Sequence, residues 1–267
     1  MKLLKVTSLS MMSSNELIEK IMPIVGILVF GFLIYLFSRI GYSALTAKKR
    51  IAAFCSEKGF NCFKAADQKL FREFLYKYQL LEKTSASKFQ ELLFKDFGEF
   101  ALLSMLITFD SRGTSDLGAS TSKITGGYFV LAYFKHLNFP KFVLRNKKKA
   151  PWEDILKKNR FTFPGGHRVN SIFNFYSDEP SQLGQMLNDQ VLDHLSNYKS
   201  NYIRIIGNGS YMLGTEDIYT LNSTTIQMRM ITTLSEIARG ISDANKNKQG
   251  GPNDTEEFNT LIASLTA

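Results

Sequence analysis

The stretch from Ile21 to Ser38 reads IMPIVGILVFGFLIYLFS, eighteen residues without a charge, and it decides how the rest of the chain is organised. An α-helix that crosses the hydrocarbon core of a bilayer needs about 20 apolar residues. The run therefore predicts a transmembrane helix over residues 21–41. A cleaved signal peptide has a shorter apolar core followed by small residues, and a buried core helix has a polar face; this run fits neither description.

Positive charges around this run predict its orientation. Arg39, Lys48, Lys49, Arg50 and Lys58 follow it, whereas Lys2, Lys5 and Lys20 precede it. Short cytoplasmic flanks carry an excess of Lys and Arg, so the sequence predicts a single-pass membrane protein with a cytoplasmic body. The net charge of +9 suits a body that lies beneath an anionic leaflet.

The chain has two cysteines, Cys55 and Cys62, too few for a disulfide scaffold. On one continuous helix they would lie about 10 Å apart along the axis, too far for a disulfide. We therefore expect two free thiols. A turn at Gly59 that joins them in an oxidising compartment is the alternative.

The remaining pattern predicts an α+β fold: a single N-terminal transmembrane helix, a helical neck, and a body with a mixed, mainly antiparallel sheet and packed helices. The predicted divisions are a flank at 1–20, the transmembrane helix at 21–41, the neck at 42–98, the α+β domain at 99–241, a flexible linker at 242–253 and a C-terminal amphipathic helix at 254–267.

Apolar periodicity predicts the individual elements of neck and body. Helical spacing indicates helices in 66–82, in SKFQELLFKDFGE (87–99), after Pro180, and in 223–241. Strand composition marks 101–110 and 126–134, which a polar loop at 111–125 separates, and also 139–146 and 170–177. The segment YIRIIGNGSYMLGT (202–215) predicts a hairpin that turns at Gly207, Asn208 and Gly209.

Catalytic motifs are missing from the sequence, which has no phosphate-binding GxxxxGK[ST] loop, no GxSxG elbow and no HExxH. We therefore expect no catalytic residues, no cofactor and no metal site, although an enzyme without a recognisable motif stays open. Gly165, Gly166, His167 and Arg168 in FPGGHRVN form a weak candidate anion site, since backbone amides beside His and Arg suit an anion. The alternative is a tight turn with no ligand.

A basic segment lies between Lys135 and Arg160. Basic side chains near an anionic leaflet attract lipid headgroups, and an interfacial Trp adds an apolar anchor. The sequence therefore predicts a headgroup contact, with a solvated basic loop as the alternative and no specific nucleic acid expected. The predicted contact residues are Lys147, Lys148, Lys149, Trp152, Lys157 and Lys158.

The C-terminal segment TEEFNTLIASLTA repeats apolar residues at helical spacing. A helix this short is unstable alone in water, so we expect it to fold on docking, either onto its own domain or into a groove of a partner protein. The predicted docking residues are Phe258, Leu261, Ile262 and Leu265.

Two resemblances accompany these patterns. The strand containing Phe139, Pro140, Phe142 and Leu144, within residues 124–240, resembles an F-P-x-F-x-L strand of an uncharacterised bacterial membrane-anchored domain family. That resemblance implies N-terminal spans and a cytoplasmic body, and no catalytic residues.

The second resemblance is in the C-terminal segment. It resembles a translocation signal of bacterial type IV secretion effectors at Glu256, Glu257, Thr260, Ser264 and Leu265. Together these features favour a membrane-anchored binding or scaffold protein, a component or accessory of a bacterial membrane assembly that contacts the lipid bilayer and another protein. A secretion effector or a membrane-associated enzyme is the alternative. The resemblances imply the bacterial inner membrane as the location, and a host membrane, reached after secretion, is the alternative.

Overall fold

The computed structural model describes residues 14–64, 66–80, 87–114, 120–147, 160–197, 203–218, 224–246 and 255–265. The chain divides into two compact units, residues 1–49 and residues 50–267. Helix α1 (Ser14–Lys58) supplies the first unit, and its last residues belong to the second. The second unit, called the body below, contains all the strands that the structure describes.

In the first unit, helix α1 exposes large apolar side chains at most described positions between Met22 and Tyr35. Tyr42 and Leu45 further along the helix are exposed as well. A search of the described residues finds no helix with the length and apolarity of a membrane span.

The described strands of the body form one antiparallel sheet of nine strands, in the order β1-β2-β3-β4-β9-β8-β5-β7-β6. This confirms the predicted α+β class with an antiparallel sheet. The strands are β1 (Asn61–Phe63), β2 (Ser87–Asp96), β3 (Phe100–Thr114), β4 (Ser120–Phe134), β5 (Phe139–Asn146), β6 (Arg160–Phe161), β7 (Phe173–Ser177), β8 (Ile203–Gly209) and β9 (Tyr211–Ile218).

Both faces of this sheet are apolar. Side chains alternate between the faces of a strand, so Leu102 on β3 and Val130 on β4 lie in one core while Leu103 and Leu131 lie in the other. We call the face with Leu102 the first face and the face with Leu103 the second face. Because helices cover both, the central strands are almost continuously apolar.

The first face packs against four helices and against the end of α1, which contributes Ile51, Phe54 and Cys55. The four helices are α3 (Val169–Ile172), α4 (Pro180–Met186), α5 (Asp189–Asn197) and α6 (Thr224–Asn245). Pro180 begins α4 as predicted, since its missing N–H would lack a partner at a helix start in any case. The sequence predicted one helix after Pro180, whereas the structure has two, α4 and α5, separated by Leu187 and Asn188. The apolar side chains of this segment are buried: Leu183, Met186, Leu187, Val191, Leu192 and Leu195.

The second face packs against two short helices, α2 (Gln68–Lys77) and α7 (Thr255–Ala263). Asp67 caps the start of helix α2: its carboxylate accepts hydrogen bonds from the amides of Lys69 and Leu70 at 2.9 and 3.0 Å. Such an N-cap satisfies amides that have no partner inside the helix. Its apolar side, with Phe71, Phe74 and Leu75, is buried.

The predicted helix in residues 87–99 is wrong, because Ser87–Asp96 form strand β2. The register between β2 and β3 shifts between Gln90 and Leu93, and Glu91 has a φ of 52°. This bulge leaves Phe89 and Leu92 on the second face and puts Leu93 on the first. Apolar positions therefore recur three and four residues apart, as they do in a helix.

Two loops also differ from the prediction. The polar segment 111–125 is mostly strand, since β3 and β4 stay paired up to Thr114 and Ser120. The predicted hairpin is confirmed as β8 and β9, but its turn is at Gly209 and Ser210, later in the sequence than expected. Gly207 and Asn208 are still paired, and Gly209 has the positive φ of 58°.

The expectation of two free thiols is wrong in this structure, where Cys55 and Cys62 form a disulfide with their Cα atoms 7.0 Å apart. Helix α1 ends at Lys58, and Gly59 takes a φ of 68°. The amide of Phe60 then donates to the carbonyl of Cys55 at 2.9 Å, the hydrogen bond that closes a helix with glycine after its end. The chain turns back, so the two cysteines do not share one helix.

Candidate functional site

The segment FPGGH, singled out in the sequence, forms a tight turn on the first-face side of the body. Pro164–Gly166 make one 3₁₀ turn, in which Gly165 and Gly166 have φ values of 78° and 67°. Side chains with a Cβ rarely adopt that region, whereas glycine does so at no steric cost. Asn170 holds the turn: its side chain accepts from the amide of Phe163 at 3.0 Å and donates to the Phe163 carbonyl at 2.8 Å.

His167 leaves this turn toward the first residue of α5. Its Nε2 lies 3.1 Å from Oδ1 of Asp189. The His167 side chain is 23% exposed and the Asp189 side chain 89% exposed. The carboxylate therefore presents an acceptor to solvent, while the imidazole stands mostly inside the protein.

A cavity of about 410 Å³ opens between this turn and helices α4 and α5. We call it the turn cavity. Its apolar lining includes Phe161, Phe163, Leu187 and Leu192, all packed in or against the first-face core. Its polar lining is Thr162, His167, Ser181, Gln185 and Asp189. An apolar floor with a few polar groups, in a volume of roughly 300–1,000 Å³, is the usual composition of a ligand site.

The turn cavity suits a donor group better than an anion. Gly165 and Gly166 have the backbone form that the anion-site prediction requires, but the carboxylate of Asp189 lies beside His167. A negative group near another negative group is disfavoured. Arg168, the fourth predicted residue, does not line the cavity. The anion site stays a prediction, and no metal-binding cluster occurs in the part of the chain that the structure describes.

Most residues of this cavity carried no sequence signal. His167 was marked by the adjacent glycines, but Asp189 follows it by 22 positions. Phe161 belongs to β6, and Ser181 and Gln185 belong to α4. One local pattern points to Asp189. Asn188 ends the short link after α4 and caps α5 by accepting from the amide of Val191 at 3.0 Å, so Asn-Asp marks a helix start.

The predicted headgroup residues lie mostly outside the described part of the chain, which includes only Lys147 of the six. Its ammonium donates to the carbonyl of Asn170, and its amide donates to the carbonyl of Ile172 at 3.0 Å. Lys147 thus contacts the backbone around α3. Lys148, Lys149, Trp152, Lys157 and Lys158 lie outside the described residues.

The predicted docking residues lie on helix α7, on the second face of the body itself. Phe258, Leu261 and Leu265 are buried there, and Ile262 packs against the same core. The ring of Phe258 stacks on Tyr133 with centroids 4.4 Å apart. The prediction offered the chain's own domain and a partner's groove, and the structure shows the first of these.

Polar contacts fix α7 at its N-terminal end. Lys77 and Tyr78 both donate to the carboxylate of Glu257, the latter at 2.8 Å. The hydroxyls of Thr255 and Tyr133 lie 2.6 Å apart. Of the residues that resemble a secretion signal, Glu257 and Leu265 are therefore engaged within the body.

A polar group of side chains under α6 was not anticipated. Gln227, fully buried, donates to the carbonyl of Glu91 and to the hydroxyl of Ser104, both at 3.2 Å. Burial, and then the nearby carboxylate of Glu91, raise the pKa of Tyr128 above its usual range, so this phenol stays protonated. Glu216 pairs with Arg229 at 2.7 Å. These contacts join α6 to the sheet and do not line the turn cavity.

Comparison with known proteins adds a single structural likeness. No family model matches the sequence, and no curated protein matches it. A crystal structure of the mycobacterial trehalose monomycolate transport factor A aligns with 74% of this chain and 95% of its own, at a TM-score of 0.44 and 10% sequence identity. At those values the likeness carries no argument about fold or function, and the resemblance to a bacterial membrane-anchored family stays a prediction.

Proposed function

We propose that this chain is a membrane-anchored binding protein whose body holds an apolar group, with a hydrogen-bond donor attached to it, in the turn cavity. The observation that carries the proposal is the lining of that cavity. Phe161, Phe163 and Leu187 offer an apolar floor, and the Asp189 carboxylate at the rim offers an acceptor to solvent. A floor of this kind contributes affinity, and a rim acceptor fixes orientation.

Binding is favoured over catalysis by the environment of the His167–Asp189 pair. In hydrolases that use such a pair, the carboxylate is buried and holds the imidazole in one tautomer. Here the carboxylate is 89% exposed. Water screens such a contact strongly, so the pair suits recognition of a ligand better than activation of a nucleophile.

Anchoring of the chain to a membrane is proposed from the sequence, and the exposed apolar side chains of α1 support it. The run from Ile21 to Ser38 has no charge, and α1 exposes large apolar side chains between Met22 and Tyr35. A continuous exposed apolar surface is unfavourable in water and typical of contact with a membrane or a partner. A lipid bilayer is the contact that the length of the run favours.

We further propose that the body lies in the cytosol, because Arg39, Lys48, Lys49 and Arg50 follow the apolar run. The Cys55–Cys62 disulfide argues for the other side, since cytosolic thiols are kept reduced. A cytosolic body therefore requires both thiols to be free in the cell, which alkylation before lysis measures.

The test of binding is photo-crosslinking from the cavity in membranes of an expressing bacterium. The photoreactive residue p-benzoylphenylalanine replaces Ser181, which lines the cavity, or Gln182, which is exposed on the same helix and does not line it. We expect an adduct from position 181 only. Its mass distinguishes a small molecule from a partner protein that inserts a side chain.

A cavity-filling variant makes the test specific. Gly184 lines the turn cavity, and a Cβ there would meet no atom within 4 Å, so we expect Gly184→Phe to place its ring in the cavity. It should reduce the adduct from position 181 to background, whereas Gln182→Phe should not. Equal yields from positions 181 and 182, or an adduct that survives Gly184→Phe, would contradict the proposal.

A further inference from the structure

The turn cavity lies beside an edge of the sheet. Two of its lining residues are Phe161, in β6, and Thr162, which follows it. Among the described strands, β6 is the last of the sheet, and on one side it pairs with Phe175 and Tyr176 of β7. Its other side is therefore an edge of the described sheet, and a further strand can add at such an edge.

The open part of this edge is short. In an antiparallel pair every second residue turns its N–H and C=O away from the neighbouring strand, so β6 presents such groups on its outer side. The edge is closed at Phe163, because the amide and the carbonyl of this residue are already bonded to the side chain of Asn170. An added strand can thus reach Arg160, Phe161 and Thr162.

The two side chains of β6 point to opposite faces of the sheet. Phe161 packs against the first-face core and lines the turn cavity. Arg160 stands opposite Tyr176 on the second face and is exposed. Because residues directly opposite each other in two paired strands share a face, an antiparallel strand added to β6 places one residue at the cavity and the next beside the charge of Arg160.

The rest of the cavity indicates which side chain fits. Ser181 and Gly184 of α4 line it, and a Cβ at Gly184 would meet no atom within 4 Å, so there is room for a large group. The apolar floor and the exposed carboxylate of Asp189 favour a ring that carries a hydrogen-bond donor. Tyrosine and tryptophan are the side chains of this kind.

We infer that the occupant of the turn cavity is a tyrosine or tryptophan side chain from an extended segment of a partner protein, which adds to β6 as an antiparallel strand. An acidic residue directly follows the aromatic one in that segment and pairs with Arg160. This inference rests on the proposed function of the turn cavity and names its partner. In strand addition, main-chain hydrogen bonds give affinity, and pockets for alternate side chains give specificity.

The experiment is fluorescence anisotropy of fluorescein-labelled hexapeptides with the full-length chain in detergent micelles, with empty micelles as the background. The probe is TTYETT, and TTAETT lacks the ring. We expect saturable binding of TTYETT and at least tenfold weaker binding of TTAETT. N-methylation of TTYETT at the tyrosine or at the glutamate should abolish binding in one case and be tolerated in the other, because only alternate amides face β6.

Variants of the chain test the two side-chain contacts. Gly184→Phe should abolish binding of TTYETT. Arg160→Gln should weaken TTYETT about threefold, as expected for an exposed ion pair, and leave TTYQTT unchanged. Arg239→Gln is the matched control, because Arg239 is an exposed arginine of α6, and it should change neither peptide.

Equal affinity for TTYETT and TTAETT, or tolerance of both N-methyl groups, would overturn the inference. A crosslinked adduct from position 181 with the mass of a small molecule would also overturn it, while leaving the proposed function intact. Absence of any adduct from position 181 would instead contradict the proposed function itself.

Discussion

The two faces of the sheet are both apolar, but they are closed in different ways. Four helices and the end of α1 cover the first face, and the turn cavity lies there. The second face is closed by two short helices, of which α7 follows the last strand by more than thirty residues. The proposed binding site therefore shares the first face with four helices, whereas on the second face we expect α7 to undock without unfolding of the sheet.

The largest effect should come from the first face, at Leu234 of α6. This side chain is fully buried against Gly214 of β9, where a Cβ would lie 2.3 Å from a Leu234 methyl carbon. Leu234→Ala should lower the free energy of unfolding by about 3 kcal/mol, within the usual range for such cavities. Chemical denaturation of the full-length chain measures it.

Gly214→Ala provides the matched control for this contact. Alone it overpacks the same site and should cost about 1–3 kcal/mol. In the Leu234→Ala background the added methyl group has room, so the double variant should lose less than the sum of the two single losses. Additive losses would show that α6 does not pack on β9 as described.

A smaller effect is expected on the second face, at Phe258 of α7. Its ring stacks on Tyr133 and is buried. We expect α7 to undock while the sheet stays folded, so Phe258→Ala should cost only about 1–2 kcal/mol, below the ~3–5 kcal/mol of a buried Phe elsewhere. Hydrogen exchange should accelerate at the amides of α7 and not at those of β3 and β4. Uniform acceleration would mean that the two faces unfold together.

The smallest effect belongs to Glu257, which tethers the start of α7. The hydrogen bond from Lys77, and then the one from Tyr78, lower the pKa of this carboxyl. A group with a lowered folded-state pKa stabilises above its unfolded pKa of about 4.3, and that stabilisation is lost as the pH falls through the folded-state pKa.

Glu257→Gln should therefore cost less than about 1 kcal/mol at pH 7, since the pair is exposed. The difference from the parent chain should vanish at pH 3. Denaturation at the two pH values measures it, and a cost that persists at pH 3 would mean that the carboxylate charge contributes nothing.

The helices were largely predictable because each keeps one apolar face. The spacing of Leu183, Val191 and Leu195 predicted one helix where the structure has α4 and α5. The glycines around Asn208 predicted the β8–β9 hairpin. These patterns involve residues close together in the sequence, so they can be recognised without knowledge of the fold. The length of β3 and β4 was not predictable, since the polar residues up to Thr114 pair with strand partners that composition alone does not reveal.

Strand β2 was missed for a conformational reason. The bulge at Glu91 inserts an extra residue, and Glu gives no sign that it will adopt a φ of 52°. Phe89, Leu92 and Leu93 then imitate the spacing of a helix, although they serve two faces of a sheet. Apolar spacing of three and four residues therefore does not distinguish a helix from a strand that a bulge interrupts.

The candidate site was predictable only in its turn. Consecutive glycines favour a turn with positive φ, which Gly165 and Gly166 adopt, and His167 follows them. Asp189 and Ser181 reach the same cavity through the packing of α4 and α5 on the first face, which depends on contacts distant in sequence.

The central claim is that the turn cavity of the membrane-anchored chain binds a ligand in the cell. The yield of crosslinked adduct from position 181, relative to that from position 182, tests this claim most directly. The account predicts a crosslinked product from position 181 that disappears in Gly184→Phe and persists in Gln182→Phe. Equal yields from the two positions, unchanged by Gly184→Phe, would contradict it.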